Sequence, residues 1–91
     1  MPITLRAITE FAATWARVQQ HSGETFRTIT GKEFRYEARP GGVEMLTTSR
    51  MLPRSSFEEA FARMPVPGPG ALQDLQGPSY LYAILTDPRV R

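Results

Sequence analysis

The chain contains no cysteine. That excludes a disulfide scaffold, cysteine-ligated zinc and iron–sulfur clusters. It contains one histidine, His21. A metal site would therefore need carboxylates at ligand spacing, and no stretch resembles a D-x-D-x-D-G loop. Long apolar runs are also missing. The most apolar segment, LQGPSYLYAILT (75–86), is interrupted by Gly77 and Pro78 and falls short of the ~18 residues of a membrane span. The N-terminal stretch carries Arg6, Glu10 and Arg17 and lacks the apolar centre of a signal peptide. The expectations are a cytoplasmic protein with no membrane partner, no metal and no cofactor.

What is present reads as one globular domain. The 91 residues are 41% hydrophobic and 22% charged, and a chain of this size buries roughly 60–65% of its unfolded surface. Ten arginines and a single lysine give a net charge of +2 and an isoelectric point near 9.5. Arginine suits phosphate and carboxylate forks. An excess of this size is nevertheless small beside that of strongly basic nucleic-acid binders.

The first element is a helix over about 8–21. Ile8, Phe11, Ala12 and Trp15 fall at i, i+3, i+4 and i+7, which is one helical face. Thr4 or Thr9 caps its start, and Gly23 stops it. His21 is then a partly exposed residue meeting the helix dipole.

FRTITGKEFRYEARPGG (26–42) follows. A three-residue loop, Ile29-Thr30-Gly31 with Gly31 left-handed, sets Phe26 opposite Phe34. Alternation then collects Phe26, Thr28, Phe34, Tyr36 and Ala38 on one face. A two-residue loop would send the two phenylalanines to opposite faces. The turn at Arg39–Gly42 pairs Ala38 with Val43 and Tyr36 with Met45, adding Val43, Met45 and Thr47 to the same face. A type II turn there would splay the hairpin, which favours a longer connection. The other face carries Arg27, Arg35 and Arg39 against Glu33, Glu37 and Glu44. These charges cancel, with Arg27 opposite Glu33, so that face reads as a solvated, ion-paired surface rather than a nucleic-acid platform.

LPRSSFEEAFARMP (52–65) reads as a helix over about 56–64. Ser55 with Glu58, or Ser56 with Glu59, fits a capping box, and Phe57, Ala60, Phe61 and Met64 form its apolar stripe. PVPGPG (65–70) opens a stiff connector reaching to 78. SYLYAILT (79–86) is a last short helix with Ser79 at its start, or alternatively a strand using Tyr80, Tyr82 and Ile84. The expected architecture is α+β: an N-terminal helix, a three-stranded antiparallel meander, a capped helix, a Pro/Gly connector and a C-terminal helix. Its core comprises Phe11, Trp15, Phe26, Phe34, Tyr36, Val43, Met45, Phe57, Phe61, Ile84 and Leu85.

The order helix, three strands, helix resembles that of double-stranded-RNA-binding domains. Where that family begins its second helix with lysines, this chain has PRSSFEEAF, with two glutamates. No residue carries over from the resemblance.

Catalytic signatures are lacking. The serines sit in no G-x-S-x-G context, and GPGALQ lacks the Gly-Lys-Ser/Thr ending of a phosphate loop. The protein reads as non-enzymatic. Its best binding candidate is the window from Met45 to Ser56, which contains no acidic residue. Arg50, Arg54 and the hydroxyls of Thr47, Thr48, Ser49, Ser55 and Ser56 lead into a helix N-terminus, where free N–H groups favour anions. This is a candidate phosphate clamp for DNA or RNA, and Lys32 joins it if the first hairpin loop lies nearby. The same hydroxyls also suit plain helix capping. A second reading places a protein partner, or a second copy of the chain, on Tyr80, Leu81 and Tyr82 of the apolar C-terminal segment. Those residues equally suit docking within the chain.

Overall fold

The computed structural model describes residues 5–46 and 50–91, with side chains from residue 10 onward. Thr4, the side chain of the stripe residue Ile8 and the hydroxyls of Thr47, Thr48 and Ser49 lie outside what is described, whereas Thr9 falls inside the first helix, which begins at Leu5 and not near residue 8, and so does not cap it. The element order is α1 (Leu5–Gln20), β1 (Thr25–Arg27), β2 (Glu33–Arg39), β3 (Gly42–Met45), β4 (Arg50–Pro53), α2 (Arg54–Arg63), a single 3-10 turn (Pro69–Leu72) and α3 (Pro78–Thr86). The class is α+β, as expected.

The meander has four strands, in the order β1-β2-β3-β4, and not three. The extra strand is β4, which the sequence reading assigned to the approach to a helix. Its Leu52 is fully buried and lies opposite Val43. Pro53 is compatible with this because β4 is an edge strand, and at its end no ladder donor is required.

The registers expected for the first two hairpins are present. Phe26 lies opposite Phe34 and Arg27 opposite Glu33, while Tyr36 pairs with Met45 and Ala38 with Val43. Gly31 has φ +92°, which relieves the strain a Cβ would suffer there. The second turn is no longer than two residues. Gly41 is not among the positive-φ glycines, so the splaying type II geometry is avoided. Gly42 is needed for a different reason: a Cβ there would run into the carbonyl oxygen of Leu52 on the neighbouring strand.

One sheet face is covered by all three helices. It presents Phe26, Phe34, Tyr36, Val43, Met45 and Leu52, all buried. Trp15 meets Phe57 edge-on at 5.3 Å between α1 and α2. Tyr80 meets Phe34 the same way at 4.9 Å, seating α3 on the sheet. Phe61, expected in the core, is only half-buried at its margin, with its ring 5.5 Å from that of Phe11. Val18, Leu72, Leu81 and Val90, not among the residues expected in the core, are fully buried as well.

The opposite face is the ion-paired surface expected. Arg27 pairs with Glu33. Glu37 lies directly across from Glu44, an unfavourable like-charge pair that Arg39 bridges at 2.8 and 2.7 Å. The Pro/Gly connector is tied down by Arg63, which holds Asp74 at 2.7 Å. The hydrogen bond from Arg63 holds the Asp74 carboxyl down at about 2.

The end of α1 is fastened to β2 by three hydrogen bonds. The Tyr36 hydroxyl donates to the carbonyl of Val18 at 2.6 Å, one of the last-turn carbonyls that a helix cannot satisfy itself. Gly23 N–H donates to the Tyr36 carbonyl at 2.8 Å, and Ala38 N–H donates to Ser22 Oγ at 2.8 Å. Burial raises the pKa of the Tyr36 phenol well above its ordinary value, so the donor is protonated throughout the physiological range. Replacing Tyr36 by Phe leaves the Val18 carbonyl buried without its partner. The expected loss is about 1–3 kcal/mol, read as a lower urea midpoint. An unchanged midpoint would contradict this role.

Candidate functional site

The structure divides the proposed clamp in two. Arg50 starts β4, and Arg54 follows its far end as the first residue of α2. An extended strand advances roughly 3.3 Å per residue, so the two guanidinium groups serve different surfaces. Arg54 lies over the rings of Phe11 and Trp15, at 5.2 and 5.9 Å from their centroids. Ser55 is exposed and Ser56 is buried. Neither caps α2: the N-cap position is Pro53, with no side-chain cap. The capping box therefore does not form. The helix begins two residues earlier than its serines suggest, because its first free N–H, that of Arg54, is taken by the Gly41 carbonyl at 2.9 Å.

Arg50 instead joins Lys32. The β1–β2 loop, the start of β4 and the start of α3 meet at one end of the sheet. They enclose a cleft of about 200 Å³ lined by Thr28, Thr30, Lys32, Arg50, Ser79 and Tyr80, with Gly77 and Pro78 closing it. The lining contains no acidic residue. Neither Lys32 nor Arg50 forms an ion pair among the described residues. The loop is held rigid by Thr28, whose Oγ1 accepts from the Lys32 N–H at 3.1 Å and lies 3.1 Å from Thr30 Oγ1.

The third wall is the start of α3. Gly77 is its N-cap in the left-handed conformation, Pro78 follows, and no side chain caps the helix. Its first turn has no acidic residue, so its positive dipole end is not neutralised by its own sequence. Two cations, three hydroxyls and a helix start thus converge. Chemically, this lining suits an oxyanion. Its one aromatic, Tyr80, is buried against Phe34. Just outside it, Ile29 stands 62% exposed at the hairpin tip.

The remaining predicted positions fall elsewhere. Leu81 is fully buried and Tyr80 nearly so, which removes both from a partner surface. The C-terminal segment is helical, and its apolar residues serve the core that a short chain needs. Tyr82 alone stays half-buried, along a separate groove. His21 is half-buried, with Nδ1 2.9 Å from Glu24 Oε2. Among the described residues no group of three His, Cys, Asp or Glu side chains could hold a metal, and no helix is long and apolar enough to cross a membrane.

Three cleft hydroxyls, those of Thr28, Thr30 and Ser79, are not signalled as site residues by the sequence. They line the cleft because of where α3 lands, for which there is no local signal. Arg89, distant from every motif, locks the β1 edge. It lies 3.9 Å from the Phe26 ring centroid, pairs with Asp87 and Glu24 at 3.0 and 2.9 Å, and donates to the Thr25 carbonyl at 2.9 Å.

No protein family, no curated protein and no solved structure matches the chain.

Arg54 in this arrangement is a packing residue. Arg54→Ala is expected to lower stability by about 0.5–1 kcal/mol, the worth of an exposed cation–π contact. It should leave the amide resonances of Thr28, Lys32 and Arg50 in place. Shifts at the cleft on this substitution would show that the two surfaces are coupled after all.

Proposed function

We propose that this chain is a small non-enzymatic module that binds nucleic acid through its phosphates, with Lys32 and Arg50 as the contacting cations. One observation carries the reading. Two basic side chains without carboxylate partners line the same acid-free cleft, while two of the three arginines of the sheet face, Arg27 and Arg39, are matched with glutamates. Field lines from unpaired cations reach a ligand; those of paired cations largely cancel.

The hydroxyl of Ser79, and whichever of Thr28 and Thr30 does not donate to the other, supply the neutral donors that accompany such cations at phosphates. The helix start adds its dipole. The cleft volume, about 200 Å³, suits one phosphate with its sugar and not a groove-filling element. Binding of this kind positions a strand and does not read its sequence.

The test is fluorescence anisotropy with labelled duplex DNA, single-stranded DNA and RNA over a range of salt. Lys32→Ala with Arg50→Ala is expected to weaken binding evenly across sequences. It should reduce the slope of log affinity on log salt by about 2, one for each cation lost. Arg54→Ala should leave the slope alone. A slope that falls in Arg54→Ala and holds in the double variant would place the contact at α2 instead.

A further inference from the structure

At the other end of α3 from the cleft lies a second concavity. The middle of α1, the end of α2 and the last turns of α3 leave between them a groove of about 350 Å³. Phe61, Met64, Pro65, Val66 and Leu85 supply its apolar floor and walls, with Tyr82 alongside. Phe61, Met64, Val66 and Tyr82 are each only half-buried, so a contiguous apolar strip stays wet. The groove has no acidic lining residue and one cation, Arg91.

Polar groups gather on the same rim. Thr14, a buried residue, lines the groove. Its Oγ1 accepts from Arg17 Nη2 at 3.3 Å, which leaves its proton free to be donated. Arg17 Nε donates to the Val90 carbonyl at 2.6 Å, and the Arg91 N–H donates to that of Asp87 at 2.8 Å. These bonds fix the backbone that carries Arg91 beside the groove. Neither Arg17 nor Arg91 has a carboxylate partner among the described residues.

We propose that this groove binds a small amphipathic carboxylate, its apolar body on Phe61, Met64 and Leu85 and its head at Arg91. Three features select that class. The volume falls at the lower end of the roughly 300–1,000 Å³ that small-molecule sites occupy. The strip is apolar and continuous, which demands a hydrocarbon body. The one charged side chain among the lining residues is that of Arg91, and a guanidinium pairs with a carboxylate through two parallel hydrogen bonds. The site shares no lining residue with the phosphate cleft, so it stands or falls independently of it.

Octanoate is a suitable probe and octanol its uncharged match in length, each titrated into the whole chain and followed by amide and methyl NMR. Octanoate should give saturable shifts at Met64, Val66 and Leu85. Octanol should bind at least about tenfold more weakly, the factor that corresponds to roughly 1.4 kcal/mol. Arg91→Gln should erase the preference while leaving octanol binding unchanged, and Val66→Asp, a surface change, should reject octanoate. Equal binding of the two probes, no saturable shift, or shifts at Lys32 and Arg50 instead would overturn the proposal.

Discussion

The rest of the structure depends on the docking of α1 against β2 through Tyr36. A helix ends with carbonyl groups it cannot satisfy, and burying such an end without a partner is costly. Here the side chain that satisfies Val18 is also a fully buried core residue on an interior strand. The same ring lies 5.3 Å from that of Phe26. One side chain thus fixes the helix end, the strand register and the position of β1. Because β1 and β2 are joined by the loop that carries Lys32, the geometry of the cleft follows from this contact.

Charge is distributed with a consequence for binding. Among the described residues, Arg27, Arg39, Arg63 and Arg89 form ion pairs with carboxylates. They serve the sheet face, the connector and the C-terminal tail. At exposed sites such pairs contribute little to stability, but they do remove those cations from the field that a ligand meets. Among the described residues, the cations without a carboxylate partner are Arg17, Lys32, Arg35, Arg50, Arg54 and Arg91; Arg35 stands on the sheet face and Arg54 over the rings of Phe11 and Trp15. Lys32 and Arg50 flank the start of α3, and Arg17 and Arg91 lie toward its end. With a net charge of only +2, the chain thus keeps a pair of these cations near each of the two proposed sites.

Much of the fold was legible in the sequence because it rests on short-range rules. Period-two alternation across two turns specified the registers of β1, β2 and β3, and Gly31 marked its loop. β4 was obscured because RMLP reads as an approach to a helix. Only Leu52 is fully buried there, and an edge strand of four residues shows too little alternation to be seen. The serines before α2 suggested a cap, yet the backbone of the preceding turn took that place. The site was half legible. The acid-free window drew attention to Arg50, and the hairpin loop to Lys32. Their meeting with Ser79 depends on the path of the Pro/Gly connector, which is a tertiary outcome without local signal.

The most direct test of the cleft is an amide NMR titration of the whole chain with a short single-stranded oligonucleotide at low salt. Resonances of Thr30, Lys32, Arg50, Ser79 and Tyr80 should move together along one saturation curve, and those of Arg54 and Ser55 should stay still. Movement centred on Arg54 and Ser55, or on the ion-paired face around Arg27 and Arg39, would contradict the account. So would a spectrum that does not change at all.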